Sequence, residues 1–201
     1  MYRLILASES PRRKELLNRI GIPFQVFPVN ISEIPDKTLN PAHQILEIAG
    51  RKARAAVNLL KEQGDIGPFI LLAADTEVIF NGSLLGKPSS EGEAIQTLKR
   101  LSGQTHEVIT AVQVIDSLSG NCHSHIETTK ILFKTLSEDE ICNYVATQEP
   151  MDKAGSYGIQ GHAGQWVERI DGDFDNVVGL PVKAVAALIQ SQGWRFTDEL
   201  R

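Results

Sequence analysis

Two arginines near the N-terminus carry the first chemical signal in this sequence. Residues 4–7 form an apolar run typical of a buried strand, and Ser10 stands before a proline, which is typical of a helix start. Arg12 and Arg13 then fall in the first helical turn, where the helix dipole disfavours cations. An anion bound over this turn would remove that penalty, so the pattern predicts a phosphate cradle that includes the nearby Ser8. A solvated arginine pair on a surface helix is the alternative interpretation.

Three lysines and two carboxylates extend this signal along the chain. Lys52 falls inside the apolar stripe of a predicted helix, so its ammonium group must either reach out to solvent or meet an anion. Lys87 lies in a constrained Gly-Lys-Pro turn, and Lys153 begins a glycine-rich segment. Glu33 follows one predicted strand, and Asp75 ends the most apolar run, at the end of a strand where ligands collect in α/β proteins. These cations suit a triphosphate, and the carboxylates could hold Mg²⁺ or Mn²⁺ or activate a water molecule.

Several of these candidates also have an ordinary interpretation. A carboxylate such as Glu33 at a strand end is often only solvated, and Asp75 could cap a turn. His123 and His125 stand two apart, as metal ligands on a strand do, but no further cysteine or histidine cluster lies nearby. A surface strand is therefore the favoured interpretation for the two histidines. The charged residues can converge only if the sheet brings strand ends together, which their spacing cannot show.

The composition limits the class of protein. The chain has 201 residues, of which 42% are hydrophobic, and this is enough for a packed core. Its net charge of −5 lacks the basic balance of a protein that binds nucleic-acid backbones, so any bound phosphate is expected to be small. Cys122 and Cys142 lack Cys-x-x-Cys spacing and are predicted to be free thiols in a reducing compartment. No signal-peptide pattern and no apolar run of about 18 residues is present, so we expect a cytoplasmic protein.

Strand and helix signals alternate along the chain and predict a mixed α/β fold. Asn81-Gly82 between two apolar runs predicts a hairpin, and a serine followed three residues later by a glutamate predicts helix starts at Ser90 and Ser137. No repeat or linker interrupts the pattern, so residues 1–201 are interpreted as one elongated domain. The predicted strands are residues 4–7, 23–31, 69–74, 78–80, 84–85, 106–116, 125–133 and 165–170, and the predicted helices are residues 11–20, 40–62, 90–101, 137–147 and 181–190.

Six segments, in their order along the chain, resemble the Maf-like nucleoside triphosphate pyrophosphatases. Each segment alone is a weak signal, whereas all six in this order are specific, and they span nearly the whole sequence. They are Ser8-Glu-Ser-Pro-Arg-Arg13 with Glu15-Leu-Leu17, Lys52-Ala53, Ala74-Asp75-Thr76, Gly86-Lys87-Pro88, Leu101-Ser-Gly-Gln-Thr-His106 and Asp152-Lys-Ala-Gly-Ser-Tyr-Gly-Ile-Gln-Gly161.

This resemblance implies a Maf / inosine-triphosphatase-like fold, in which an elongated mixed sheet is flanked by helices and two lobes surround a central cleft. It also implies hydrolysis of a nucleoside triphosphate between the α and β phosphates, which releases a monophosphate and pyrophosphate and uses Mg²⁺ or Mn²⁺. Residues 152–161 resemble the dTTP/UTP branch, which would remove non-standard or excess pyrimidine nucleotides. A 7-methyl-GTP pyrophosphatase of the same family and a non-catalytic nucleotide-binding regulator of cell division are the alternatives.

The resemblance also implies roles for individual residues. Asp75 matches the family's proton acceptor and could instead hold the metal ion together with Glu33. Glu9 occupies a position that is often small in members of the family. The expected partner is a small-molecule nucleoside triphosphate, with no nucleic acid and no membrane, and a homodimer remains open. Three residues match positions of the family that are linked to substrate choice: Arg12, Thr76 and Gln160. Five further residues match the other polar positions of the cleft: Arg13, Glu33, Lys52, Lys87 and Lys153.

Gln160 leads to a hypothesis about the base. A carboxamide offers a donor and an acceptor side by side, and uracil and thymine present the complementary O4 and N3–H. Gly158 and Gly161 would let the backbone approach the ring closely, which favours a slot for a pyrimidine. If the amide were rotated by 180°, however, it would serve cytosine equally well.

Overall fold

The computed structural model describes residues 1–65 and 67–197, and it has a mixed α/β architecture. The strands are β1 (Arg3–Leu6), β2 (Phe24–Val26), β3 (Phe69–Phe80), β4 (Ser83–Leu84), β5 (Thr105–Asp116), β6 (Cys122–Phe133) and β7 (Val167–Asp171). The helices are α1 (Pro11–Asn18), α2 (Pro41–Glu62), α3 (Glu91–Leu101), α4 (Glu138–Ala146), α5 (Phe174–Val178) and α6 (Val182–Gln192), and short 3₁₀ turns cover Glu149–Asp152, Ala154–Ser156 and His162–Trp166.

The strands form one mixed sheet in the order β2-β1-β3-β5-β6-β7, with β4 paired to β3. β1 runs parallel to both β2 and β3, whereas the β3–β4 and β6–β7 pairs are antiparallel. The predicted fold class is therefore confirmed. The predicted pairing of the two long strands is confirmed as well, because β5 and β6 are neighbours in the sheet.

The chain divides into two compact units, and each is built from separate stretches of sequence. The first unit contains Met1–Asp75, Thr110–Ile126 and the chain from Gly179 onward, and the second contains Thr76–Ile109 and Glu127–Val178. Both units include residues of β3, β5 and β6.

In the first unit, the apolar stripe of α2 packs against β1 and the first half of β3. Ala53 and Ala56 of the helix join Ile5, Leu71 and Ala73 of the strands in one cluster, and all five are fully buried or nearly so. Burial of this stripe confirms the helix that its periodicity predicts.

In the second unit, the core is aromatic. Phe133 lies edge-on to Tyr157 and to Trp166, with ring centroids 4.8 and 6.1 Å apart, and Tyr144 lies edge-on to Trp166 at 4.8 Å. His106 is buried in the same cluster, where its Nε2 lies 2.8 Å from the hydroxyl oxygen of Tyr157. These rings pack against α3 and α4 residues in one continuous apolar cluster.

The predicted helix starts and the hairpin form as their local signals require. Ser10 and Asn40 each accept a hydrogen bond from the backbone N–H three residues later, and Ser137 forms the complete capping box. At Ser90 only half of the box forms, because the Glu93 carboxylate binds both the amide and the hydroxyl of Ser89 instead.

The turn residues Asn81 and Gly82 have φ values of 49° and 74° between β3 and β4. Two positive φ values match the right-handed twist of a two-residue hairpin, which Asn-Gly favours. The hairpin prediction is therefore confirmed.

Two predicted strands have the wrong length. The strand over residues 23–31 is only Phe24–Val26, because Pro23 and Pro28 have no N–H and the ladder stops between them. The strand predicted over residues 165–170 begins at Val167, because Trp166 ends a 3₁₀ turn.

Asp75 does not end a strand as predicted, since β3 continues to Phe80 through a β-branched stretch that pairs with β4. It nevertheless lies three residues beyond Leu72, the partner of the last β1 residue. At this point of the sheet β1 ends, whereas β3 continues. Asp75 therefore lies next to the turn that follows β1 although it stands in the middle of its own strand.

The remaining sequence predictions concern cysteines, histidines and membranes. Cys122 and Cys142 are both free, as predicted. His123 lies edge-on to Trp194 with ring centroids 5.6 Å apart. Within the described part of the chain, no helix combines the length and the apolar character that crossing a membrane requires.

Candidate active site

The turn between β1 and α1 is organised by serine hydroxyls. Ser8 is buried, and its Oγ accepts hydrogen bonds from the Ser10 backbone N–H at 3.2 Å and from Arg13 Nη1 at 3.4 Å. Ser10 Oγ in turn accepts from the Arg13 backbone N–H. These hydrogen bonds fix the turn and the start of α1, which carries Arg12 and Arg13.

Arg13 is fixed further by a contact that the sequence did not suggest. Its Nε donates to the backbone carbonyl of Gly179 at 2.9 Å. Burial lowers the pKa of Arg13 below its ordinary value. A freely solvated side chain is thus the wrong interpretation for Arg13, and Arg12 is half-buried as well.

Lys52 binds two carboxylates at once. Its Nζ lies 2.6 Å from Glu33 Oε1 and 2.7 Å from Asp75 Oδ1, and the Lys52 side chain is only 12% exposed. The open question of whether this lysine reaches solvent or meets an anion is thereby resolved, because it meets the protein's own anions. Glu33 remains half-exposed, so it is neither fully solvated nor buried.

The Asp75 side chain is buried, and one of its two carboxylate oxygens makes no hydrogen bond to the described residues. Its Oδ1 is taken by Lys52, whereas its buried Oδ2 has no hydrogen-bond partner among residues 1–65 and 67–197. Burial raises the pKa of Asp75 above its ordinary value, with Lys52 and Arg13 opposing that rise. A buried carboxylate with raised basicity and one free oxygen is suited to accept a proton from water or to bind a cation.

The donor set of this cluster fits a divalent cation of the Mg²⁺ or Mn²⁺ type. Glu33 and Asp75 supply hard oxygen ligands that converge on one ammonium group, and the free Oδ2 of Asp75 is a buried acceptor without a partner. No group of three or more metal-ligating His, Cys, Asp or Glu side chains occurs in the described residues. Mg²⁺ sites in proteins often use only one or two carboxylates, with water and substrate phosphates as the other ligands.

The other predicted site residues belong to the second unit. Thr76 follows Asp75 in β3 and is half-buried, and Gln160 is exposed. Lys87 is exposed too, in the Gly86-Lys87 turn. The Gly86 carbonyl of that turn accepts from the Gly155 N–H at 2.8 Å, which ties the turn to the glycine-rich segment.

Lys153 is already paired within its own segment. Its Nζ donates to the Glu149 carbonyl at 2.5 Å and lies 2.8 Å from Asp152 Oδ1, and its side chain is 17% exposed. The structure thus brings together Ser8, Arg13, Glu33, Lys52 and Asp75 within the first unit. The assignment of Thr76, Lys87, Lys153 and Gln160 to the same site stays a prediction.

Sequence reasoning missed the Gly179 carbonyl that binds Arg13. The two residues are 166 positions apart, so no local spacing connects them. The one available signal is Gly179 itself, which stands before Leu180-Pro181 and has a φ of 131° that disfavours other residues. An unusual backbone position of this kind marks a constrained turn but does not show which side chain uses its carbonyl.

Comparison with known proteins adds an independent observation. A family model described as Maf-like protein matches residues 3–192 of the chain. The chain belongs to the Maf family. This confirms the resemblance carried by the six sequence segments.

Curated relatives of this Maf protein match over nearly their whole length. A dTTP/UTP pyrophosphatase of Bdellovibrio bacteriovorus is 58% identical over 186 residues, which cover 92% of this chain and 96% of that protein. Proteins of the same name from Caldicellulosiruptor bescii and Neisseria meningitidis are 44% and 41% identical, and the alignments cover 96% and 100% of this chain and the same shares of those proteins.

Proposed function

We propose that this Maf protein is a nucleoside triphosphate pyrophosphatase that hydrolyses dTTP and UTP to the monophosphate and pyrophosphate. The main support is the 58% identity to a protein named dTTP/UTP pyrophosphatase over more than nine-tenths of both chains. The cluster of Arg13, Lys52, Glu33 and Asp75 adds a chemical reason, since it places cations beside a basic carboxylate. Residues 1–201 would work as one catalytic domain, and its nucleotide substrate would place it in the cytoplasm.

In this mechanism the basic side chains bind the triphosphate. Arg12, Arg13 and Lys52 would contact phosphate oxygens, with Lys87 and Lys153 as further cations. Arg13 needs little reorganisation on binding, because Gly179 and Ser8 already hold its guanidinium group. A divalent cation held by Glu33, and by Asp75 if Asp75 is not the base, would neutralise part of the charge on the phosphates.

Asp75 then carries the proton transfer. A water molecule attacks a phosphorus atom of the α–β anhydride, the new P–O bond forms as the bridging P–O bond breaks, and pyrophosphate leaves. The proton of the water passes to the free Oδ2 of Asp75, whose raised pKa makes it a better base than an exposed aspartate. The alternative role, in which Asp75 only holds the metal ion, uses the same oxygen.

Base choice is assigned to Gln160, with Arg12 and Thr76 as further residues linked to substrate choice. The Gln160 amide would pair with O4 and N3–H of uracil or thymine. Removal of non-standard or excess pyrimidine nucleotides would follow from this choice.

A substrate panel tests the proposal. Purified protein with Mg²⁺ or Mn²⁺ is given dTTP, UTP, CTP, GTP and 7-methyl-GTP at equal concentrations, and pyrophosphate and orthophosphate are measured separately. We expect pyrophosphate in equal amounts with the monophosphate, and the fastest turnover for dTTP and UTP. GTP or 7-methyl-GTP as the best substrate would refute the base assignment, and binding without turnover would support the regulator. Appreciable CTP turnover would show only that the amide is free to rotate.

A further inference from the structure

Glu149 lies at the centre of a hydrogen-bond network in the second unit. Its Oε1 accepts from the hydroxyl of Tyr144 at 3.0 Å, and its Oε2 lies 3.0 Å from Nδ1 of His162. The Glu149 side chain is 20% exposed, so most of its surface is covered. One carboxylate thus connects α4 with the beginning of the 3₁₀ turn at residues 162–166.

Tyr144 extends this network to the other side of Gln160. Its hydroxyl oxygen accepts from the backbone N–H of Gly158 at 3.1 Å, while it donates to Glu149. The ring of Tyr144 is buried and packs edge-on against Trp166, so the hydroxyl has little freedom to move. Gln160 therefore lies between two anchored points, Gly158 and His162.

Gly161 shows how closely the backbone lies against the carboxylate. A Cβ at this position would lie 1.8 Å from Glu149 Oε1, far inside any allowed contact. The φ of Gly161 is −98°, which any residue can adopt, so a side chain here would fit only if the Glu149 carboxylate moved away. Gly158 is crowded as well, because its Cβ would meet Lys153 Cε at 2.8 Å.

We propose that Glu149 and Tyr144 are positioning residues that hold residues 158–162, and thereby Gln160, in the conformation that selects the base. This inference rests on the proposed function, because it gives Gln160 a base to select. A segment with glycines at 158, 161 and 164 has much conformational freedom to lose when a ligand binds. If Glu149 and Tyr144 already hold this segment, its conformational entropy is not lost when the ligand binds.

The first experiment compares Glu149→Ala with Glu149→Gln and with Glu168→Ala, an exposed glutamate on β7, as the matched control. We measure kcat and KM for UTP and GTP, together with hydrogen exchange of the amides of residues 158–162. Glu149→Ala should raise the KM for UTP more than it lowers kcat and should reduce the UTP preference to the level of Gln160→Ala. Exchange of the His162 amide, whose N–H lies 3.5 Å from Glu149 Oε2, should rise by about tenfold, the effect of losing one hydrogen bond. Exchange of the Gly158 amide, which donates to the Tyr144 hydroxyl, should rise less.

The other variants separate positioning from general stability. Glu149→Gln keeps an acceptor for Tyr144 and should retain most of the preference, whereas Tyr144→Phe should loosen the Gly158 amide. The double variant Glu149→Ala/Gln160→Ala should be no less selective than Gln160→Ala alone. A lower melting temperature with unchanged selectivity and exchange would overturn the proposal, and if Glu149→Ala does not fold, Tyr144→Phe provides the same comparison.

Replacing Gly161 tests the same contact by changing the backbone segment instead of the Glu149 carboxylate. Gly161→Ala should displace the carboxylate and lower the UTP preference, but it should have little further effect in the Glu149→Ala background. Gly92→Ala in α3 is the matched control, because its Cβ would meet only Ser90 Oγ at 3.9 Å. Equal effects of Gly161→Ala in both backgrounds would contradict the role of Glu149. A wild-type protein that turns over neither dTTP nor UTP would refute the proposed function, and unchanged amide exchange would separately refute the anchoring.

Discussion

Lys52 of α2 and Asp75 of β3 form a buried ion pair with 2.7 Å between Nζ and Oδ1. The pair leaves Asp75 Oδ2 without a partner among the described residues, and Glu33 binds the same ammonium group. An ion pair that served only to stabilise the fold would be expected to use both carboxylate oxygens. A buried carboxylate oxygen left open in this way is available to a water molecule or a cation.

Asp75→Asn should lower kcat by at least about 10²-fold, the lower range for loss of a general base. The amide keeps an acceptor for Lys52 and nearly the same volume, and Glu33 remains to balance the ammonium charge, so the fold should survive. Pyrophosphate release measures the loss of kcat, and circular dichroism checks that the variant is folded. Asp139→Asn, at an exposed position of α4, is the control, and near-wild-type turnover by Asp75→Asn would exclude both roles of Asp75.

Arg13→Ala should reduce kcat/KM by at least about tenfold, because a preorganised cation no longer binds the phosphates. Loss of the hydrogen bond to Gly179 should lower the free energy of unfolding by about 1 kcal/mol at most, because relief of the helix-dipole penalty offsets it. Kinetics and urea denaturation measure the two effects. Arg12→Ala is the companion variant, and strong destabilisation with intact turnover would mean that Arg13 holds the fold instead.

Removal of divalent metal by a chelator should abolish turnover, and Mg²⁺ or Mn²⁺ should restore it. Glu33→Gln weakens one oxygen ligand, so the Mg²⁺ concentration for half-maximal activity should rise by about tenfold. Metal titrations of the two proteins provide the measurement, with Glu62→Gln at the exposed end of α2 as the control. Superimposable titration curves for Glu33→Gln and the wild type would argue against Glu33 as a ligand.

The stability of the protein should depend on pH through His106. Burial lowers its pKa to about 4 from the ordinary 6.5, so the unfolded chain binds a proton between these values that the folded protein does not. The resulting contribution of neutral His106 to the free energy of unfolding is fully present above pH 6.5 and is lost as the pH falls towards 4. The full loss is about 3 kcal/mol. Urea denaturation at pH 7.5 and 5 should show a smaller decrease for His106→Gln than for the wild type. Equal decreases would show that other groups cause the pH dependence.

Local features of the fold could be predicted from the sequence because their causes are local. The caps at Ser10, Asn40 and Ser137 bind amides three residues away, so the residue types and their spacing determine them. The apolar stripe of α2 follows helical periodicity, and the turn at Asn81-Gly82 follows from two residues that tolerate positive φ. These signals were sufficient for the fold class and for all the long helices.

Tertiary structure decided which chemical groups meet. The sequence indicated that Lys52 needs an anion but not that Glu33 and Asp75 supply it, since they lie 19 and 23 residues away. The contact of Arg13 with Gly179 spans 166 residues and joins α1 to the segment before α6. Contacts of this kind have no periodicity, because the packing of separate elements sets the distance between their side chains.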